Sequence, residues 1–234
     1  MKPIKGRSSR NLIRTLSKLG LCSRTQALVH VQAGRVTVNG RTVKDPGYAV
    51  RVHDKIQLEG ETARPQAKQY FLFHKPAGCV TTRSDEKGRK TIYDFLGEIG
   101  ACVFPVGRLD LDSEGLLVLT NDTAFGHRLT EPRFKVLRTY EVWVQGKLTV
   151  EDQAQIKKGI DIGRGETAQP ATLKILKAED KLSHAEVTLT EGKNREVRRM
   201  FDALGKPVTR LLRTRFGPFL LGDLKPGAWK PIQP

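Results

Sequence analysis

Apolar positions along the chain follow two rhythms in turn. Leu12, Ile13, Leu16 and Leu19 recur at i, i+1, i+4 and i+7, which predicts a short helix ended by Gly20. Ser23-Arg24-Thr25-Gln26 reads as a capping box for a second helix, with Ala27, Leu28 and Val31 as its apolar face and Gly34 as its stop. The rhythm then changes to alternation. Val36-Thr37-Val38 predicts a strand, Asn39-Gly40 a hairpin turn, and Val43 the start of the return. Val50, Val52, Ile56 and Leu58 supply further strand. Glu59 to Gln69 is poor in apolar residues and contains Pro65, so a linker is placed at 61–69.

Beyond the linker strands dominate. Tyr70 to Phe73 predicts one, and the continuous apolar run Gly115 to Thr120 predicts a buried one. Tyr140, Val142 and Val144 alternate, as do Ala185, Val187 and Leu189, and Leu173, Ile175 and Val208 to Leu212 suggest others. Asp122 caps a predicted helix carrying Phe125 and Leu129. A second opens at Thr149 to Asp152 and stops near Gly159. A third carries Val197, Met200, Phe201 and Leu204 on one face, with Gly205 as its stop. Strand runs mixed with separate helices, without regular βα alternation, predict the α+β class. The expected division is a basic tail at 1–9, a small domain at 10–60, the linker, and a larger domain at 70–234.

Charge sharpens this picture. The 234 residues carry 41 Lys and Arg against 25 Asp and Glu, a formal net charge of +16. Residues 1–44 hold ten of the basic residues and no acidic one. An excess of that size points to a polyanionic partner, nucleic acid first. No run approaches the length of a membrane span, so no membrane partner is expected. The basic start Met1 to Arg7 is not followed by an apolar stretch, and Cys22, Cys79 and Cys102 are few and far apart. Both features suit a reducing cytoplasm. With no CxxC pair and scattered histidines, no metal site is expected.

Two segments concentrate chemistry. Gly107 to Gly115 packs Arg108, Asp110, Asp112 and Glu114 against the mouth of the predicted buried strand. It reads either as a site or as a charged surface turn. Glu191 to Met200 runs from a strand end into a helix start. Arg195, Arg198 and Arg199 fall there on adjoining faces, where they either face phosphates together or form a solvated charged face. His74-Lys75-Pro76-Ala77-Gly78 is a weaker strand-end turn.

Taken in order, the three segments resemble the RsuA family of ribosomal RNA pseudouridine synthases. The matching patterns are K-P-x-G at Lys75 to Gly78, G-R-L-D-x-x-S-x-G-L-L at Gly107 to Leu117, and E-G-x-N-R-x-V-R-R-M at Glu191 to Met200. Residues 11–58 resemble the RNA-binding domain of the ribosomal protein S-four type, through Ser23-Arg24, Gly34, Val36, Val38-Asn39-Gly40, Pro46 and Asp54-Lys55-Ile56. The family departs from this chain at Ser113, where threonine is frequent, and in the opening helix at Asn11 to Arg14.

The resemblance implies a small α/β RNA-binding domain followed by a catalytic domain on a mixed, mainly antiparallel sheet flanked by helices. It implies isomerisation of uridine to pseudouridine with no cofactor. Asp110 becomes the essential aspartate, Tyr140 the tyrosine that stacks on the base, and Arg198 the cation that pairs with Asp110 and holds it ionised. Val197 would pack against the uracil and Arg108 would help hold a flipped nucleotide. Lys75, Arg195 and Arg199 join them as substrate contacts, and Asp112 and Glu114 are taken as turn-formers. Arg10, Arg14, Arg24, Arg35 and Arg41 are the candidate RNA contacts of the first domain. The expected partner is ribosomal RNA or a ribosomal assembly intermediate, and the expected state is a monomer. The Asp112 to Gly115 and Asn194 to Glu196 stretches look more like members acting on the large subunit. Two competing readings are a non-catalytic assembly factor on the same fold, and a metal-dependent nuclease using Asp110, Asp112 and Glu114.

Overall fold

A computed structural model describes residues 10–19, 21–22, 24–62, 67–101 and 103–233, apart from the side chains of Arg10 and Ala101. The chain divides into two units, one up to Lys68 and one from Gln69 onward.

In the first unit, helix α1 (Leu12–Lys18) is capped by Asn11, whose side chain accepts from the Arg14 N–H. The capping box expected at Ser23 starts outside the described residues, as does Gly20. Helix α2 (Arg24–Gln32) follows, then a small antiparallel sheet of β1 (Val36–Val38), β2 (Arg41–Thr42), β3 (Ile56–Leu58) and β4 (Glu61–Thr62), in the order β2-β1-β3-β4. Leu12, Leu16, Ala27, Val31, Val36, Val38 and Ile56 form its core. All the apolar positions of the two helical stripes that are fully buried face this core, so the basic side chains point outward. Two expectations change. Glu61–Thr62, assigned to the linker, extends the sheet by pairing with β3. Val52, assigned to a strand, lies in a turn and is 78% exposed.

The second unit is built on one nine-stranded sheet. Its long strands are β5 (Tyr70–Lys75), β7 (Glu114–Thr120), β8 (Arg138–Gln145), β9 (Thr172–Ala178), β10 (Leu182–Leu189) and β11 (Val208–Phe216). Short strands β6 (Phe104–Val106), β12 (Phe219–Leu220) and β13 (Trp229–Pro231) complete it. The order along the sheet is β9-β10-β8-β11-β7-β5-β13, with β6 on β7 and β12 on β11. The β11–β7 pair is parallel and every other pair antiparallel, so the sheet is mixed and mainly antiparallel, and the fold class is α+β.

Strand β7 reads as an unbroken apolar run because it is covered on both faces. Leu117 and Leu119 pack with Phe73 and Ile92 on one side. Leu116 and Val118 pack with Phe125 and Phe216 on the other. Helix α3 (Thr123–Thr130) is capped by Asp122, which accepts from the Ala124 and Phe125 N–H groups. Helix α4 (Val150–Lys158) opens with a complete capping box between Thr149 and Asp152. Helix α5 (Glu196–Ala203) buries Val197, Met200 and Phe201 against β8, β10 and β11. The result places the strand end at Lys75, the loop before β7 and the start of α5 at one end of the sheet. No helix among the described residues is long and apolar enough to cross a membrane.

Candidate active site

The loop before β7 owes its shape to a few close contacts. The Ser113 N–H donates to the Asp110 carbonyl over 3.1 Å. The Lys75 ammonium, fully buried, donates to the Ser113 carbonyl at 2.7 Å and the Pro76 carbonyl at 3.1 Å. Gly78, with φ of +84°, donates its N–H to the Leu111 carbonyl at 2.8 Å, and the Thr81 hydroxyl donates to the Leu109 carbonyl at 2.8 Å. Burial draws the Lys75 pKa below its ordinary value, against the pull of Cys79 and of the Asp110, Asp112 and Glu114 carboxylates. Lys75 was expected to touch substrate. It is instead an internal strut that seats the turn carrying Asp110.

Gly115 has a different task. Its φ is +109°, and a Cβ there would lie 2.4 Å from the Arg213 carbonyl oxygen. Only glycine allows the parallel strands β7 and β11 to meet at the register Gly115–Arg213.

A cleft of about 350 Å³ opens beside this loop. Arg108, Asp110, Tyr140, Arg195 and Val197 all line it. Asp110 is about a third exposed at 34%, Tyr140 is buried on β8, and Val197 is buried in the first turn of α5. Five of the eight residues expected at the site are thus brought together, from three separate segments of sequence.

The other three are not among its lining. Besides Lys75, Arg199 turns away: it donates to the Ile162 and Gly163 carbonyls at 2.8 and 2.6 Å and pairs with Glu166, tying α5 to the 160–168 hairpin. Arg198 was expected to pair with Asp110, but its Nε lies 3.2 Å from Asp112 Oδ2. Its Nη2 donates to the Asp112 carbonyl at 2.8 Å and its Nη1 to the Val208 carbonyl at 3.1 Å.

Asp112 also receives both terminal nitrogens of Arg195, at 3.1 and 3.2 Å. The reading of Asp112 as a local turn-former is therefore replaced by that of an anchor for two arginines from α5. Burial pushes its carboxyl up, but the hydrogen bonds from Arg195 and the charges of Arg198 and Arg195 outweigh this and hold it below its ordinary value. Glu114 pairs with Arg210, which lies over the Trp143 ring at 4.4 Å. Of the three carboxylates in the motif, Asp110 is the one that lines the cleft, with its nearest paired cation, Arg195 Nη1, at 3.8 Å. Among the described residues no group of three or more His, Cys, Asp or Glu side chains is arranged to hold a metal ion, so the three carboxylates do not make the donor set that the nuclease reading requires.

Several lining residues carried no signal in the sequence. Arg138 and Arg213 are both buried and both pack on the Phe216 ring, at 5.2 and 4.8 Å. All three line the cleft with Thr130 and Leu211. Burial pulls the Arg138 pKa down from its ordinary value, Arg213 adds to that, and the fields of Tyr140 and Glu196 oppose it. Glu196, also lining the cleft, accepts from the Lys193 N–H at 2.9 Å. Burial and a hydrogen bond shared with Glu191 push its pKa up to about 7. The alternation of β11 marks Arg213 as facing inward, but an inward arginine on a strand has no pattern that separates it from a surface one.

In the first unit, Arg14, Arg24, Arg35 and Arg41 are exposed, and Arg35 pairs with Glu59 at 3.2 Å. The side chain of Arg10 lies outside the described residues.

A small unit with exposed arginines, followed by a sheet-based unit whose cleft holds one carboxylate beside a buried tyrosine, suits an enzyme acting on a polyanion, and comparison with known proteins gives the class. Residues 69–203 match the RNA pseudouridylate synthase family, and residues 10–56 match the S4 domain. The chain is 39% identical over 220 residues to an uncharacterised RNA pseudouridine synthase of Aquifex aeolicus (strain VF5), covering 93% of this chain and 88% of that one. It is 36% identical over 225 residues to the ribosomal large subunit pseudouridine synthase B of Bacillus subtilis (strain 168), covering 95% and 92%. A solved pseudouridylate synthase superposes with a TM-score of 0.69 at 31% identity, covering 96% of each chain. The chain belongs to the RNA pseudouridine synthase family, in the RsuA-type arrangement with an N-terminal S4 domain.

Proposed function

We propose that this enzyme converts a uridine of large-subunit ribosomal RNA to pseudouridine, with Asp110 as its essential carboxylate. The observation that carries the assignment of Asp110 is that, of the three carboxylates, it is the one that lines the cleft. Asp112 is held by Arg195 and Arg198 and Glu114 by Arg210, while Asp110 shares the cleft with Tyr140 and Val197. The full-length similarity to the Bacillus subtilis relative supports ribosomal RNA of the large subunit as substrate.

The reaction breaks the bond between uracil N1 and ribose C1′, turns the base, and joins C5 to C1′. The C5 proton is lost and N1 gains one, so no electrons are exchanged with an outside partner and no cofactor is called for. A stacked base cannot turn, so the nucleotide must first leave its helix. Arg108, exposed at the rim, contacts the displaced strand. Tyr140 and Val197 supply the apolar and aromatic faces that hold the uracil ring. Asp112 acts through others: it fixes Arg195 and Arg198, and Arg195 reaches toward Asp110. The exposed Arg14, Arg24, Arg35 and Arg41 add phosphate contacts that supply affinity more than choice of site. The protein acts as a cytoplasmic monomer on naked ribosomal RNA or on an assembly intermediate.

The test is tritium release from ribosomal RNA labelled at C5 of uracil, with EDTA present. The wild type is expected to release tritium, and Asp110→Asn to lose at least about a thousandfold in rate while binding RNA as before. Wild-type-like release from Asp110→Asn would overturn the assignment. Release only from assembly intermediates, and not from naked RNA, would identify the particle as the substrate.

A further inference from the structure

Arg213 is 3% exposed and lines the cleft. Its Nε donates to the Leu116 carbonyl at 2.8 Å, and its Nη2 is buried without a hydrogen-bond partner. Among the described residues no carboxylate lies within ion-pair distance of it. Arg138, the other buried guanidinium there, donates to three carbonyls, of Val136, Thr190 and Leu129, at 3.0, 3.4 and 3.4 Å. Arg213 therefore differs from its neighbour in keeping a donor unused. A buried guanidinium with an unmatched donor costs stability, and its ring contact with Phe216 offsets only part of that. Such a group is kept where a ligand completes it.

Depth identifies the ligand atom. A flipped nucleotide remains joined to RNA through both its phosphates, so its backbone stays at the mouth, where Asp110 is a third exposed, and its base goes deepest. Arg213 is the Cα partner of Tyr140 across the β8–β11 pair, and directly opposed residues present their side chains together on one face. The group that reaches Arg213 is the edge of the base whose face rests on Tyr140. Uracil offers two carbonyl oxygens there, and a guanidinium has donors only.

We propose that Arg213 is a further catalytic residue of this enzyme, donating from Nη2 to a ring carbonyl of the flipped uracil. The inference rests on the reading of the cleft given above and adds a chemical role to it. When the N1–C1′ bond breaks, its electron pair stays on the uracil. The charge spreads from N1 through the conjugated ring onto the carbonyl oxygens and onto C5. A fixed donor at a carbonyl strengthens as that charge develops, which lowers the barrier without reorganisation. The charge on C5 then forms the new bond to C1′, C5 gives up its proton, and N1 takes one. Gly115 and Leu116 hold this donor in place, the first by letting the strands approach and the second through its carbonyl.

The test uses the full chain and a synthetic hairpin around the uridine that the wild type modifies, carrying uridine, 2-thiouridine or 4-thiouridine at that position. If that uridine lies outside ribosomal RNA, the ribosomal reading falls and the Arg213 test proceeds unchanged on the hairpin found. Sulfur is a weaker acceptor than oxygen. In single turnover, one thio substitution is expected to slow the wild type about tenfold and to have no further effect on Arg213→Leu. Arg213→Leu is expected to react about a hundredfold more slowly than wild type on the uridine hairpin, with RNA affinity within about threefold. Equal thio effects in both proteins, or a wild-type rate in Arg213→Leu, would overturn the proposal. If Arg213→Leu fails to melt cooperatively, Arg213→Lys is compared in the same way. A thio effect equal to the wild type's on a lysine variant that has lost rate would show a structural role only.

Discussion

Residue by residue, the site rests on contacts that no single motif letter reveals. Asp110, Asp112 and Glu114 stand two positions apart and differ in their surroundings: Asp112 takes both Arg195 and Arg198, Glu114 takes Arg210, and Asp110 lines the cleft with Arg195 at 3.8 Å. The three arginines at the start of α5 differ likewise. Arg195 and Arg198 close on Asp112, and Arg199 ties down the 160–168 hairpin. Gly115 is the most constrained position of the set. Its left-handed φ and the Arg213 carbonyl 2.4 Å from a hypothetical Cβ leave no room for a methyl group. Gly115→Ala is expected to cost about 3 kcal/mol or more, read as a lowered urea midpoint, and to remove activity even where the protein folds. A midpoint within the error of the wild type would contradict the close approach of β7 and β11.

At the scale of elements, α5 sets the geometry of the cleft by a charged first turn over an apolar face. Glu196 lies in that turn, buried, and is pushed up to about 7 from an ordinary 4.5. A carboxyl that binds its proton more tightly when folded stabilises the fold fully below its unfolded pKa. That contribution is lost as pH rises through the folded value. Glu191, its partner, is held low by hydrogen bonds from Glu196, Lys193 and the Gln169 N–H, which outweigh its own burial, so the window between about 4.5 and about 7 belongs to Glu196. Glu196→Gln keeps an acceptor for the Lys193 N–H and removes the titration. Its stability is expected to fall less than that of the wild type between pH 5 and pH 8, measured by urea denaturation at both values. An equal fall in both proteins would assign the loss to another group.

The whole molecule joins two units with different tasks. The first builds its core from its own helical and strand apolar positions and exposes Arg14, Arg24, Arg35 and Arg41. The second holds every residue of the cleft. A chain of residues 69–234 is therefore expected to melt cooperatively by itself. Its affinity for ribosomal RNA should fall at least about tenfold near physiological salt, with a shallower dependence of log K on log salt because fewer phosphates are neutralised. Filter binding across a salt series measures both. An unchanged slope would remove the first unit from the RNA contact, and loss of cooperative melting would show that the second unit depends on it.

Local rules were enough for much of this. The stripes of α1, α2, α3 and α5, the caps at Asp122 and Thr149, the buried run of β7 and the α+β class all follow from spacing, because neighbours in sequence decide helix period, strand alternation and capping. The motifs likewise marked Asp110, Tyr140 and Val197, which the cleft brings together. Partners distant in sequence were beyond reach. Which carboxylate Arg198 meets depends on how α5 docks beside the β7 loop, and a shift of one side chain's length decides between Asp110 and Asp112. Lys75 became a strut because the end of β5 is covered, which its own motif does not state. Arg138 and Arg213 entered the cleft only through the pairing of β8 with β11 and of β11 with β7. Sequence by itself determined most of the elements and the acidic motif; tertiary structure decided which arginine each carboxylate meets and which carboxylate lines the cleft, because those pairings are set by strand order and packing across more than eighty residues of chain.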